Sequence, residues 1–203
     1  MLVISQLSAW RGSTCLFEDL DFSVPEGSLL CLRGANGSGK TTLLRIICGL
    51  TRAERGSISW RNRLCRDGLR NQACYSGHQT GLSQDLTVQQ NLAFLAAVDA
   101  WPANWPATLA PLGIEACMAL EVRRLSAGQR RRAALARVLL SAAPVWLLDE
   151  PFANLDVAGR AFMEKRIEEH VSSGGTAIIA AHEDLSFPGV PVSALTLGGK
   201  PEP

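Results

Sequence analysis

Residues Gly34–Thr41 read GANGSGKT, and this octapeptide constrains the fold more than any other feature of the chain. It fits the phosphate-loop pattern GxxxxGK[ST], in which Gly34, Gly37 and Gly39 allow backbone N–H groups to converge on an anion. The loop lies between an apolar run, SLLCLR, and TTLLRIICGL, where Leu43, Leu44, Ile46 and Ile47 have helical spacing and Gly49 marks the C-terminal stop. A strand, a glycine loop and a helix in that order aim the positive end of the helix at a phosphate. Nucleotide binding follows, with Ala35, Asn36, Ser38 and Thr42 completing the lining. Lys40 is placed to reach the β- and γ-phosphates and Thr41 to ligate Mg²⁺.

A second segment complements the first. VWLLDE is an apolar strand that delivers Asp149 and Glu150 at its C-terminal end, where ligands bind in open α/β sheets. Asp149 suits the Mg²⁺ shell, and Glu150 suits the orientation of an attacking water. Further along, LSAGQ (Leu125, Ser126, Ala127, Gly128, Gln129) contains the capping box Ser126-x-x-Gln129, so a helix starts there. Its N-terminus is a second anion site, with Arg130, Arg131 and Arg132 adding positive charge nearby.

The remaining patterns supply the frame. Strands are expected at Leu2–Leu7, Asp21–Val24, Ser28–Leu32, Ser57–Arg61 and the TAIIAA run; Pro25–Gly27 is read as the turn of an antiparallel hairpin joining the second and third. Residues from about Gly81 to Ala143 read as mainly helical, broken by WPANWPATLAPLG, and a further helix is expected from about Val157 to His170. Buried, non-alternating strands separated by helices imply a mostly parallel sheet covered by helices. The domain reading is one domain over 1–203: an α/β core from about 1–80 and 144–203, and a helical subdomain from about 81–143. The tail GGKPEP is expected to be disordered.

Composition narrows the class further. With 203 residues and 47% hydrophobic content, a disordered chain is excluded. Twenty Lys and Arg against 19 Asp and Glu give no reason to expect a nucleic-acid partner. No uncharged run approaches the roughly 20 apolar residues of a membrane span, and MLVISQLSAWRG has no signal-peptide layout. The six cysteines are scattered without a CxxC pair, which suits reduced core thiols.

Taken together and in this order, the motifs resemble the nucleotide-binding domains of ABC transporters over nearly the whole chain. GANGSGKT corresponds to the Walker A motif, Gln79 in YSGHQTG to the Q-loop, and LSAGQ to the signature. VWLLDE looks like Walker B, Asn154, Leu155 and Asp156 like the D-loop, and His182 in AAHED like the switch histidine. Trp10 stands where relatives have an aromatic, most often Tyr, that stacks on adenine. The resemblance implies an ABC-type fold: a P-loop NTPase, RecA-like core with an antiparallel β subdomain and an inserted α-helical subdomain. It implies ATP and Mg²⁺ as ligands, with Thr41, Gln79 and Asp149 around the metal and Glu150, His182 and Gln79 acting in hydrolysis. It also implies a head-to-tail homodimer in which the signature of one copy completes the ATP site of the other.

Within this family, the small size, GHQ at the Q-loop, LTVQQNLAF, RLSAGQRRRAALARVLL, WLLDEPFANLD and Gly174–Gly175 are similar to the ATP-binding subunits of bacterial haem-export complexes for c-type cytochrome biogenesis. One departure is Gln90, where LT-x-x-ENL is usual. This likeness implies integral membrane partners of the CcmB/CcmC type and a peripheral location on the cytoplasmic side of the inner membrane. An ABC transporter for another substrate, or a soluble non-transport ABC ATPase such as an iron–sulfur assembly factor, carries the same ATP motifs.

Overall fold

Leu29–Arg33 is buried at four of its five positions, and that burial decides which strands it joins. The structure, a computed structural model, describes residues 1–181 and 185–198. His182 and the last five residues of the GGKPEP tail therefore lie outside the described residues. The strands are β1 (Leu2–Arg11), β2 (Thr14–Val24), β3 (Leu29–Arg33), β4 (Arg55–Trp60), β5 (Arg63–Leu64), β6 (Arg66–Leu69), β7 (Ala73–Ser76), β8 (Val145–Asp149), β9 (Thr176–Ala180) and β10 (Val192–Thr196). The helices are α1 (Lys40–Cys48), α2 (Val88–Val98), α3 (Trp105–Leu109), α4 (Ala127–Leu139) and α5 (Val157–Ser172).

The chain forms two compact units. The first holds Met1–Tyr75, Ala143–Glu150 and the described residues from Ile167 onward; the second holds Ser76–Ala142 and Pro151–Arg166. In the first unit, β10-β3-β9-β8-β7 form one sheet and β2-β1-β4-β5 another. Strand β3 runs parallel to both β10 and β9, with Leu29 opposite Val192 and Ala177. Strands β8 and β9 are also parallel and buried at every position, as strands covered on both faces must be.

The expected hairpin between Asp21–Val24 and Ser28–Leu32 does not form. Strand β2 pairs antiparallel with β1 instead, through the two-residue turn Gly12–Ser13, where Gly12 takes φ +60°. The reason lies in the side chains. β2 alternates exposed and covered residues, as a one-sided antiparallel strand does, whereas LLCL is apolar throughout and needs cover on both faces. Pro25–Gly27 therefore carries the chain from one sheet to the other.

Helix α1 buries Leu43, Leu44, Ile46 and Ile47 in a core shared with Leu2, Ile4 and Ile58 of the antiparallel sheet and Leu30, Leu32, Leu147 and Ile178 of the parallel one. Fully buried side chains of this size each contribute about 1.5–3 kcal/mol. The helix stops at Gly49, left-handed at φ +85°, whose N–H bonds back to Ile46. A Cβ there would collide with the Asp67 carbonyl, so glycine is required on two counts.

The second unit carries α2, α3, α4 and the first part of α5. Thr87 caps α2 in a full capping box with Gln90, the residue that departs from the family pattern; its amide reaches the Thr87 N–H at 2.9 Å as a carboxylate would. Buried Asn91 accepts from the Ser83 N–H and donates to the Ser83 and Thr87 carbonyls, pinning residues 83–87 against the helix. No disulfide joins any of the six cysteines; Cys31, Cys48, Cys74 and Cys117 are buried, Cys65 is half-buried, and Cys15, contrary to the expectation of a core thiol, is exposed on β2. Among the described residues, no helix is long and apolar enough to cross a membrane.

Candidate functional site

The loop between β3 and α1 is shaped by glycine at three points. Gly34, Gly37 and Gly39 take φ of +138°, +82° and +100°, a region that side-chain-bearing residues rarely enter. At Gly34 the space is closed as well: a Cβ would stand 2.5 Å from the Leu197 carbonyl and 2.6 Å from Ser38 Oγ. The segment after β10 thus backs the loop, a contact no local pattern announces. Ala35, Asn36 and Gly37 form an exposed tip, and Thr42 is half-buried on the first turn of α1.

Gly39 is the N-cap of α1 and offers no capping side chain, and the first turn carries no acidic residue. The early N–H groups of a helix have no intrahelical partners, so this end is built to receive an anion. Ser38 Oγ is buried with no hydrogen-bond partner among the described residues, a group that a ligand oxygen would satisfy. Lys40, only 7% exposed, donates through Nζ to the carbonyls of Gly34 (2.6 Å) and Ala35 (3.1 Å). The cation is therefore stored inside the loop, in contact with neutral acceptors that a polyphosphate can replace.

The end of β8 meets the start of α1. Asp149, 4% exposed, accepts a hydrogen bond from Thr41 Oγ1 at 2.7 Å, across 108 residues of sequence. A hydroxyl and a carboxylate converging on one point form an oxygen donor set that fits a hard divalent cation such as Mg²⁺. Glu150 follows with φ +51°, in the left-handed region, and its N–H bonds to the Ala180 carbonyl at 2.9 Å. Such a backbone costs on the order of 1–3 kcal/mol and persists where surrounding structure enforces it. Trp10 lies near the end of β1, half-buried, with its backbone N–H directed at Glu54.

The other candidate residues belong to the second unit. Gln79 is exposed two residues after buried Gly77. Leu125 is buried just before α4. Ser126 is its N-cap, accepting from the Gln129 N–H at 3.2 Å while Gln129 Oε1 accepts from the Ser126 N–H at 2.9 Å. Ala127 is exposed on the first turn. Gly128 packs so close to the Asn154 carbonyl that a Cβ would stand 2.9 Å from it, which brings the LSAGQ and NLD segments together. Asn154 is exposed at φ +61°, Leu155 is half-buried, and Asp156 caps α5 by accepting from the Gly159 N–H at 2.9 Å.

Arg130, Arg131 and Arg132, read from the sequence as positive charge beside this helix start, each meet an acceptor within their own unit. Nothing in the sequence distinguishes a solvated arginine from a bonded one. A cavity of about 610 Å³ lies at the far end of α1 from the phosphate loop, lined by Ile46, Leu50, Arg52, Leu64, Arg66 and Arg70 among others. It contains none of the candidate residues.

Known proteins share these features. Residues 17–153 match the family model for ABC transporters. The chain is 39% identical over 202 residues to the cytochrome c biogenesis ATP-binding export protein CcmA of Albidiferax ferrireducens, covering 97% of this chain and 96% of that protein. It is 40% identical over 191 residues to CcmA of Vibrio cholerae, covering 91% and 92%. Among solved structures, an ABC transporter ATP-binding subunit is 26% identical with a TM-score of 0.80, covering 90% of this chain and 79% of that one. An ABC transporter ATP-binding protein from Pyrococcus furiosus is 25% identical with a TM-score of 0.79, covering 97% and 96%.

Proposed function

Because this chain belongs to the ABC transporter family, we propose that it is the ATP-hydrolysing subunit of a haem-export complex for c-type cytochrome biogenesis, driving release of the haem-loaded periplasmic chaperone. The observation that carries the subfamily reading is identity near 40% to CcmA proteins along almost the entire chain. The observation that carries the chemistry is the Thr41–Asp149 contact beside the bare N-terminus of α1.

The residues divide the work. The Gly34–Thr42 segment wraps the phosphates with backbone N–H groups, and Lys40 leaves the Gly34 and Ala35 carbonyls for the β- and γ-phosphate oxygens. Thr41, Asp149 and Gln79 hold Mg²⁺, which when bound neutralises charge on the departing phosphate. Glu150 orients a water toward the γ-phosphate, and His182 holds a γ-oxygen. Trp10 stacks on the adenine.

Leu125–Gln129 complete the site of a second copy, with Asn154, Leu155 and Asp156 at the same junction. The Ser126 hydroxyl accepts within its own helix, which leaves its proton for a phosphate oxygen. ATP held between two donor sets joins the copies, and hydrolysis releases them. The partners are integral membrane subunits of the CcmB/CcmC type, and the homodimer sits peripherally on the cytoplasmic side of the bacterial inner membrane. No nucleic acid takes part.

Deleting the gene tests the assignment. Covalently haem-loaded c-type cytochromes should disappear, return with the parental gene and stay absent with Lys40→Ala. Normal cytochrome levels in a deletion strain with no second copy would refute the haem role and leave the ATPase reading standing. In the purified protein, Glu150→Gln should keep ATP binding and lower hydrolysis by about 10²–10³-fold.

A further inference from the structure

Three arginines follow the LSAGQ motif, and each reaches a different motif-bearing segment of the second unit. Arg130 Nη2 donates to the Leu125 carbonyl at 3.2 Å, at the start of the signature. Arg132 Nη1 pairs at 3.3 Å with Asp156, the same carboxylate that caps α5. Arg131 Nη1 donates to the Gly77 carbonyl at 2.8 Å, across 54 residues.

Arg131 stands out by its burial. It is 5% exposed on a helix whose neighbouring Ala133, Ala134 and Leu135 are also buried. Burying a guanidinium is costly unless its donors are used, and an apolar side chain would fill such a position at no such cost. Packing alone therefore gives no reason for an arginine here. Its acceptor supplies one: Gly77 is the last buried residue before the exposed pair His78–Gln79, and a buried carbonyl without a donor is itself destabilising. Gly77 has no side chain with which to anchor the segment, so the backbone carbonyl is the available handle.

We infer that Arg131 is a positioning residue: by holding the Gly77 carbonyl, it fixes where the exposed Gln79 starts from relative to the signature helix. This rests on the reading of Gln79 as a ligand of the metal. Hydrolysis would then depend on a bond that touches neither nucleotide nor metal. An internal tie from the signature helix to the Q-loop also means that movement of one carries the other.

The test uses the full chain with Arg131→Met, which keeps the apolar stem of the side chain but has no donor. Residues 77–82 should exchange amide hydrogen faster, while amides within 127–139 keep their protection. Mn²⁺, as a spectroscopic substitute for Mg²⁺, should bind the ATP-loaded protein about 10- to 100-fold more weakly by EPR titration, the range found when a support of a metal ligand is lost. The value of kcat should fall with KM for ATP unchanged, and Arg131→Lys, which restores a donor, should recover part of the Mn²⁺ affinity.

Gln79→Ala should weaken Mn²⁺ on its own, and adding Arg131→Met to it should weaken Mn²⁺ no further. If Gln79→Ala shifts the affinity while Arg131→Met only lowers the melting temperature, the inference is overturned and the reading of Gln79 stands. If Gln79→Ala leaves the affinity unchanged, the reading of Gln79 falls and the inference with it. Should Arg131→Met not fold, Arg131→Gln, whose amide is too short to span the same distance, takes its place under the same criteria.

Discussion

At the start of α1 the N-cap is Gly39, left-handed and without a side chain of its own to close the end of the helix. At the start of α4 the N-cap is Ser126, and the box it forms with Gln129 closes two of the N–H groups there. We propose a phosphate-binding role for both ends, yet they are built differently. The first keeps its donors for a ligand and is shaped by three glycines at positive φ and a stored lysine. The second closes part of its end with its own side chains and offers what that box leaves over, the Ser126 hydroxyl proton and the first-turn N–H groups it does not use. The contrast fits a phosphate cradle that works within its own chain and a capped helix that is presented ready-made to another.

Substitutions at the two ends should separate these roles. The largest effect is expected at the open end: Lys40→Ala should cost an isolated chain at least about 10²-fold in ATP affinity, since the lost contact is charged and shielded from water. Ser126→Ala should leave that affinity unchanged in a fluorescent-nucleotide titration. A comparable loss at Ser126 in an isolated chain would break the distinction.

An intermediate effect sharpens it. Thr87→Ala and Ser126→Ala remove equivalent caps, so each should lower stability by about 1 kcal/mol in thermal unfolding. Only Ser126→Ala should also slow hydrolysis by assembled dimers. If both slowed it equally, the role of Ser126 would reduce to capping.

The smallest effect provides a control at residues that belong to neither motif. Glu26 lies beside the Arg61 guanidinium at 2.6 Å and the chain's terminal ammonium at 2.9 Å, which hold its pKa at about 2, below the ordinary 4.5. A lowered folded-state pKa adds stability above pH 4.5 that disappears as pH falls toward 2. Arg61→Ala should flatten that part of the acid-unfolding profile slightly, because the pair is exposed, and should leave ATP binding untouched. An Arg61→Ala profile that matches the parent between pH 5 and 2 would mean the pair contributes nothing.

The sequence exposed the open end more fully than the closed one. GANGSGKT, the apolar run before it and Gly49 after it are local signals, and the loop and α1 fall where these place them. The Ser126–Gln129 box was equally local. The Thr87–Gln90 box carried the same T-x-x-Q signal before an apolar run and went unread. What local patterns could not supply is pairing at a distance. The partners of Leu29–Arg33 lie some 150 to 160 residues away, so a turn at Pro25–Gly27 was mistaken for a hairpin. The same limit hid the Leu197 carbonyl behind Gly34, the Gly77 carbonyl under Arg131 and the Asn154 carbonyl against Gly128. In each of these the partner atom is backbone, which has no identity in a sequence.

The central claim is that the signature helix acts on the nucleotide of another copy, and trans-complementation measures it most directly. In a Glu150→Gln background, Lys40→Ala chains and Ser126→Arg chains are each prepared alone and then mixed, and occluded ATP is counted by rapid gel filtration. Neither preparation alone should occlude ATP. A mixed head-to-tail dimer places both defects in one site and leaves the other intact, so mixing should restore one occluded ATP per mixed dimer. Combining both substitutions in one chain and pairing it with an otherwise parental chain should restore none, because each site then carries a defect. A mixture that stays as empty as its components, with mixed dimers shown to form, would contradict the account.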